Sequence, residues 1–510
     1  MSELITVTTA AELNAALESA LGGETLCLEA GHYGQLILNA ATHPRLAFAT
    51  PVTLAAVGAP LPAVFSGLHL SGVVHLVFEG IVFDVNDAEP APHITAPYIT
   101  GSSADAPFKL VACTDIAFQG CIFNGRSAQA DSATDCGPKI GCGLTLSACH
   151  RMRIDTCRLQ AFSHGIVALG CETLNVLNCN LSAIGMDAML LIDTKAVRIE
   201  GNSIHDLGPQ SAPNLPITML HFRTKTADRS HRDVVVRNNT LDAGSRSAAR
   251  GIVMTADFSP DFNAESTASP GPVLACERLL IEGNLIVTRH PDGIVLGPLK
   301  TVTIQNNSVL MAPVTPDSAG PTVAPQIMID PRAQDVTVIK NAVFGIVGVS
   351  ARSNAGPSPM AAWTVRQNAF IQADDPTLPG WYGNVFETLP EGQDGAFSPS
   401  SARFVVRKGS MLHSLGAGVL PVPLLKVPGL RDSGLEDSAL KDSGAPALSP
   451  PFIPKLVPKL SVVPRLMPPR EAIKTMKSAK SSDSAPKRAS APASMAWTSS
   501  AFLDCSVPLM

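Results

Sequence analysis

Asp187, His221 and Arg223 are of the types that could take a proton from carbon and hold the charge left behind. A carboxylate or imidazole can serve as the base, and a guanidinium can stabilise the anion that forms. His164, Thr218, Arg250 and Asp292 accompany them as side chains able to hold a polar ligand, with His205, Asp206, Lys225, His231 and Arg232 nearby. Asp187 and Asp292 also offer two carboxyls, but displacement at a sugar carbon with inversion needs them roughly 6.5–9.5 Å apart. Nothing points to a metal: the eleven cysteines contain no close CxxC pair, and neither metal nor cofactor is expected. Cys136 and Cys142 are close enough to pair, although reduced thiols suit a cytoplasmic product better.

What places those side chains is a repeat. Met152-Arg-Ile-Asp-Thr-Cys157-Arg-Leu, Val197-Arg-Ile-Glu-Gly-Asn202-Ser-Ile and Leu279-Leu-Ile-Glu-Gly-Asn284-Leu-Ile share one pattern. A small polar residue stands between two apolar alternations, at 121, 157, 179, 202, 239, 284, 307, 341 and 368. The spacings are 36, 22, 23, 37, 45, 23, 34 and 27, a unit near 22 residues with loops inserted. A second column, Cys113, Cys149, Cys171 and Cys276, lies eight residues earlier, and a further apolar alternation thirteen residues earlier. A unit this short cannot bury its apolar side alone, whereas stacked coils can. The expected fold is all-β, a right-handed parallel β-helix, with the inward Asn in left-handed geometry at a turn and the cysteines as small buried ladder members.

In that register His164, Asp187, Thr218, Arg250 and Asp292 form one column just before a strand, where turn capping is the plainer role for His164 and Asp187. The outward column beyond it runs through Val167, Leu190, His221 and Val253, and the next through Leu169, Ile192 and Arg223. Their centre is apolar, so an exposed patch suited to trimer packing, a covering loop or a C-terminal arm is expected there.

Thr9-Ala-Ala-Glu12 is a capping box, followed by Leu13, Ala16, Leu17 and Leu21 at helical spacing, so a short helix is expected to close the N-terminal end. The division expected is 1–24 for strand and capping helix, 25–420 for the β-helix and 421–510 for an extended, Pro-rich arm. Ile5-Thr-Val-Thr-Thr-Ala-Ala-Glu-Leu-Asn-Ala-Ala-Leu17 with Gly22-Gly-Glu-Thr-Leu-Cys-Leu-Glu-Ala-Gly-His-Tyr33 resembles the opening of pectin-lyase-like β-helix proteins, alginate-lyase-like ones included. Phe404-Val-Val-Arg-Lys-Gly-Ser410 with Gly416-Ala-Gly418 resembles their closing coil. The resemblance implies a fold and no particular activity. Residues 150–345 are also similar to bacterial and phage-encoded β-helix proteins in which a His-x-Asp-x-Ile-Gln-Phe strand precedes an Arg-Asp-Ile-x-Ile-Arg-x-Asn coil. Arg232-Asp-Val-Val-Val-Arg-Asn-Asn239 matches the coil, but Pro216 and Thr218 stand where the strand motif has His and Asp. Chemistry that those two residues carry in relatives is lost here.

Composition narrows the partners. Of 510 residues 45% are hydrophobic, 16% charged and 5% aromatic, with three Trp and three Tyr, which argues against a lectin built on stacking rings. A net charge of −5 gives no general attraction for nucleic acid. No uninterrupted run of 18 apolar residues suggests membrane insertion, and Met1-Ser2-Glu3-Leu4-Ile5-Thr6 has no signal-peptide pattern, so synthesis in the cytoplasm is expected. Prolines at 451, 454, 458, 464, 468 and 469 forbid regular structure in the arm, while Leu456, Leu460, Val462, Val463 and Leu466 make it apolar enough to order on a partner. Together these features fit a phage or phage-like virion spike, a homotrimer that recognises host surface polysaccharide and joins other virion proteins through its C-terminal arm. The alternative is a polysaccharide lyase, hydrolase or epimerase.

Overall fold

Each coil of the chain is fixed by two corners, and the backbone at those corners explains the repeat. In the computed structural model Asn178, Gly201, Asn238, Gly283, Asn306, Lys340 and Gln367 all have φ between 52° and 68°. Each immediately precedes a member of the polar column. The left-handed residue is therefore the one before the inward Cys or Asn, not the inward residue itself as expected from the sequence. Asn and Gly tolerate this geometry, and it turns the following side chain into the coil. The structure describes residues 4–57, 62–85, 106–125, 141–207, 217–225, 230–244, 248–256, 274–312, 324–344, 347–349, 362–370, 385–386, 397–400, 403–406 and 416–418. The expected arm, 421–510, lies outside them.

The three strands between corners make three faces. His164–Leu169, Asp187–Ile192, Thr218–Thr224, Arg250–Ala256 and Asp292–Leu296 are successive strands of the first. The second face is a 13-stranded sheet, whose strands in register include Glu172–Leu177, Lys195–Glu200 and His231–Arg237. The third is made of short strands such as Ile122–Asn124, Arg158–Gln160 and Asn180–Ser182. All three ladders are parallel, and first and third faces join through Ala63–Ser71, which pairs with strands of both. Every spacing read from the sequence is the coil-to-coil offset observed. For example, Arg158 pairs with Asn180, Asn180 with Ser203 and Ser203 with Thr240.

Inside the coils like stacks on like. Phe78 lies over Phe118 at 4.9 Å and Phe83 over Phe123 at 4.7 Å, giving way to aliphatic columns such as Ile166, Met189, Leu220, Ile252 and Ile294. Each such side chain contributes on the order of 2 kcal/mol by leaving water. Asn202, Asn239, Asn284, Asn307, Asn341 and Asn368 form an unbroken amide ladder, each Nδ2–H donating to the next Oδ1 at 2.8–3.0 Å. Each amide also donates to a carbonyl of the preceding coil, as Asn284 does to Val236 at 2.9 Å. In the earlier coils a thiol takes this place, with Cys157 Sγ 3.5 Å from the Phe118 carbonyl and Cys179 Sγ 3.5 Å from that of Ile154. Burial pushes the Cys121 thiol well above its ordinary range, and the hydrogen bond with Cys157, with burial added, does the same to Cys179. All nine cysteines among the described residues are free, so Cys142 is not paired with Cys136.

The second cysteine column is interrupted by Thr194 and His231 before resuming at Cys276, since His231 pairs with Cys276 across the sheet. His231 therefore sits inside the coil, fully buried against the edge of Phe222, and not beside the polar candidates as expected. The Thr194 hydroxyl lies 2.9 Å from its Nδ1.

At the N-terminal end Leu4–Val7 pairs with Thr25–Leu28, so the first rung precedes the helix Ala10–Ser19. Thr9 caps that helix by accepting from the Glu12 N–H, and the Glu12 carboxylate accepts from the N–H of Thr8 at 2.8 Å rather than from that of Thr9. Leu13 and Leu17 are buried against the coil, but Leu21 falls beyond the helix and is exposed. Of the expected closing coil, residues 407–415 lie outside the described ones, and Arg403–Val406 pairs antiparallel with Phe397–Ser400.

Tight stacking at one first-face corner gives a direct test. A Cβ on Gly251 would lie 2.1 Å from the Gly293 carbonyl oxygen and 2.8 Å from the Ile286 side chain. Gly251→Ala is expected to cost about 2 kcal/mol through overpacking, read as a lower urea midpoint. An unchanged midpoint would mean that the coils separate there without strain.

Candidate functional site

The residues with chemistry stand where first-face strands begin. Pairing runs from Cys142 to His164, from Asp187 to Thr218, from Thr218 to Arg250 and from Asp292 to Gln326. His164 and Asp187 open adjacent strands, as do Arg250 and Asp292, so all seven form one column. The sequence shows its five middle members and not the two ends, Gln326 and Cys142, the latter preceding His164 by the spacing of a short coil. Cys142 is half-buried, and burial pushes its thiol up to about 11, so it is not an activated nucleophile.

Two clusters form along the column. In the first, Asp187 lies between two imidazoles, with Oδ2 3.3 Å from His221 Nδ1 and 3.7 Å from His164 Nδ1. The side chains of His164, Asp187 and His221 are 7%, 12% and 16% exposed. Burial alone would raise the Asp187 pKa, but the hydrogen bond from His221, the two imidazoles and the Thr218 hydroxyl together hold it below the usual carboxylate range. Burial lowers the His164 pKa more than the charge of Asp187 raises it. The result is an ionised, satisfied carboxylate and a neutral inner imidazole, whereas a general base works best with a pKa near the operating pH.

In the second cluster Arg250 Nε is 3.0 Å from Asp292 Oδ2. The Asp292 N–H donates to His290 Nδ1 at 3.0 Å, which fixes that nitrogen as an acceptor. Burial, against the pull of Asp292, keeps His290 below its ordinary pKa. Three coils separate Asp187 from Asp292, about 14 Å of stacking. That exceeds the reach of an inverting pair.

Arg223 does not join Asp187. It pairs with Ile192 and Thr255, five residues along the strand from Thr218, about 16 Å of rise. His205 and Asp206 are elsewhere, on and beside the third face, 2.7 Å from each other. Arg232 pairs with Glu277 at 3.0 Å, and the Lys225 N–H donates to Asp193. A recess of about 190 Å³ lined by Glu172, Asp193 and Lys195 lies at a different corner and holds no member of the first-face column.

The outward columns run as the repeat requires, Thr145 pairing with Val167, Val167 with Leu190, Leu190 with His221 and His221 with Val253. Their apolar centre is not open. Val167, Leu190 and Ile192 are 2–3% exposed and form a cluster separate from the coil interior, with Cys142 and Leu169 packed against it. An apolar area of that size is unfavourable in water, and within the single chain it is already covered.

Residues 142–313 match the family model described as a right handed beta helix region. No curated protein matches the chain. Among solved structures, the Dettilon tailspike protein is 12% identical, with 74% of this chain and 64% of that one covered at a TM-score of 0.37. PfbA, a surface adhesin of Streptococcus pneumoniae, is 8% identical over 78% of this chain and 94% of its own, at 0.37. The A-module of mannuronan C-5 epimerase AlgE6 from Azotobacter vinelandii is 12% identical over 75% and 96%, at 0.36. The chain spans less than two thirds of the tailspike, and likeness at this level concerns the coil alone. From the three parallel ladders and the inward amide column, the chain has the right-handed parallel β-helix fold, and its residues 142–313 match the model of that region.

Proposed function

We propose that this chain is the shaft of a phage or phage-like spike or fibre that recognises polysaccharide on a host surface without cleaving it, joined to its particle by the segment after residue 420. The observation that carries this reading is the closed first face. Asp187 is buried and saturated between His164 and His221, beside a covered apolar cluster. A glycan that is to be cut must lie against its base, and here the base is neither open nor poised. Recognition needs only a long, stiff surface, which stacked coils supply.

The second reading, a uronan lyase, hydrolase or epimerase, draws on the 3.3 Å Asp187–His221 pair. Incubating the purified chain with alginate, pectate and a panel of capsular polysaccharides separates the two. No new reducing ends or unsaturated uronates are expected, while host cells retain the protein. Product release that disappears in Asp187→Ala would overturn the proposal in favour of the enzyme. Removing residues 420–510 is expected to leave the far-ultraviolet dichroism of the coils intact and to prevent joining the particle. Incorporation of that shortened chain would refute the attachment.

A further inference from the structure

The third face carries a different chemistry from the first. Phe83, Phe123, Leu159, Leu181, Ile204 and Leu241 point inward at 0% exposure, so their strand neighbours point out. One outward column is Asp84, Asn124, Gln160, Ser182 and His205, in register from coil to coil, and Asp242 takes the same place one coil on. It spans six coils, about 24 Å. All of these except Ser182 are partly exposed, and none is apolar.

The side chains hold one another in line. Gln160 Nε2 donates to Asn124 Oδ1 at 2.9 Å, and Asn124 Nδ2 donates to Asp84 Oδ2 at 3.0 Å. Asn180, on the parallel outward column, is 3.0 Å from His205 Nε2. Each amide is thereby oriented while keeping donors and acceptors directed at solvent, a surface whose ordering cost is already met. Charge on the strip leans negative: Asp84, Asp242 and the exposed Asp206 against one exposed cation, Arg158.

We propose that this strip of amides, hydroxyls and carboxylates is where a linear, uncharged glycan lies along the coil axis. Amide and carboxylate side chains match hydroxyl groups as donors and acceptors, and the negative balance repels uronate chains. The proposal rests on the reading of the chain as a polysaccharide-binding protein, and names the face and the class of glycan.

Titration calorimetry of the full chain with gluco-, galacto- and manno-oligosaccharides, and with alginate oligomers, tests it. At least one uncharged oligomer is expected to bind and alginate is not. Asn124→Ala with Gln160→Ala is expected to weaken binding at least tenfold, and Lys109→Ala, at the first-face residue that pairs with Thr145, to leave it unchanged. Ser203→Arg adds bulk to the strip without removing any of these bonds, and is expected to weaken binding even if the double variant loses its fold. Binding that survives Ser203→Arg, that fails with Lys109→Ala, or that prefers alginate would overturn the third-face assignment while leaving polysaccharide recognition standing. A wild-type chain that binds none of the oligomers nor any host cell would overturn both.

Discussion

Asn284→Ala is expected to lower the stability of the coil region by about 4 kcal/mol, the largest effect of any single substitution considered for this chain. Its Oδ1 accepts from the N–H and Nδ2–H of Asn239 at 3.0 and 2.8 Å, and its Nδ2 donates to the Val236 carbonyl and to Asn307 Oδ1, both at 2.9 Å. Alanine removes all four bonds and leaves two Asn239 donors buried with nothing to bond, while the Val236 carbonyl keeps only its ladder partner. Each unmet group costs about 1–3 kcal/mol, partly relieved by shifts in the corner. Cys157→Ala makes the contrasting case, because a thiol is a weak donor and its loss is expected to cost about 1 kcal/mol. Urea titrations of the two variants should therefore differ by about 3 kcal/mol. Similar midpoints would mean that the column stabilises through packing alone.

Acid is expected to weaken the fold sharply through His231. Burial pushes its pKa down to about 4, against the backbone carbonyls of Thr194 and Arg223, which favour the charged ring. An unfolded chain releases that proton near 6.5, so between about 6.5 and 4 the unfolded state holds more protons than the native one. Stability therefore rises with pH across this window, and about 3 kcal/mol is lost on descending through it. Below about 4 the group adds no further slope. His231→Asn keeps a polar partner for Thr194 and removes the titration. The difference between wild type and variant isolates His231 from other groups that titrate in the same range, such as His164 and His290, whose pKa values burial also depresses. Denaturation midpoints measured from pH 7 to 4 should converge or cross as pH falls. Parallel curves would place the neutral ring elsewhere than in the coil interior.

How far the sequence carried the reading depends on which residues the coil repeats. Corner columns recur in every coil with the same side-chain demand, so Cys157, Asn202 and Asn284 could be aligned by eye, and the outward columns followed from alternation. Single events had no such support. His231 looks like a surface histidine in a run of charged residues, and only the register shows it as a member of the interior column that holds Cys171, Thr194 and Cys276 in other coils. Cys142 carries no sign of its place in a polar column, because a cysteine type suggests pairing or burial. The covered state of Val167, Leu190 and Ile192 was invisible because alternation says which way a side chain points, not what else lies over it. Residue type groups Arg223 with Asp187, and strand rise separates them. The left-handed corner was misplaced by one residue because Asn is common both at such corners and in inward ladders, and here Asn238–Asn239 and Asn306–Asn307 supply one of each.

The amide column has a mechanical side. Its bonds, like those of the three ladders, run along the stacking direction, so a pull along that axis loads every coil boundary with the same force. The boundary with the weakest bonds opens first, and such seams are expected where a thiol stands in for an amide, at Cys121, Cys157 and Cys179.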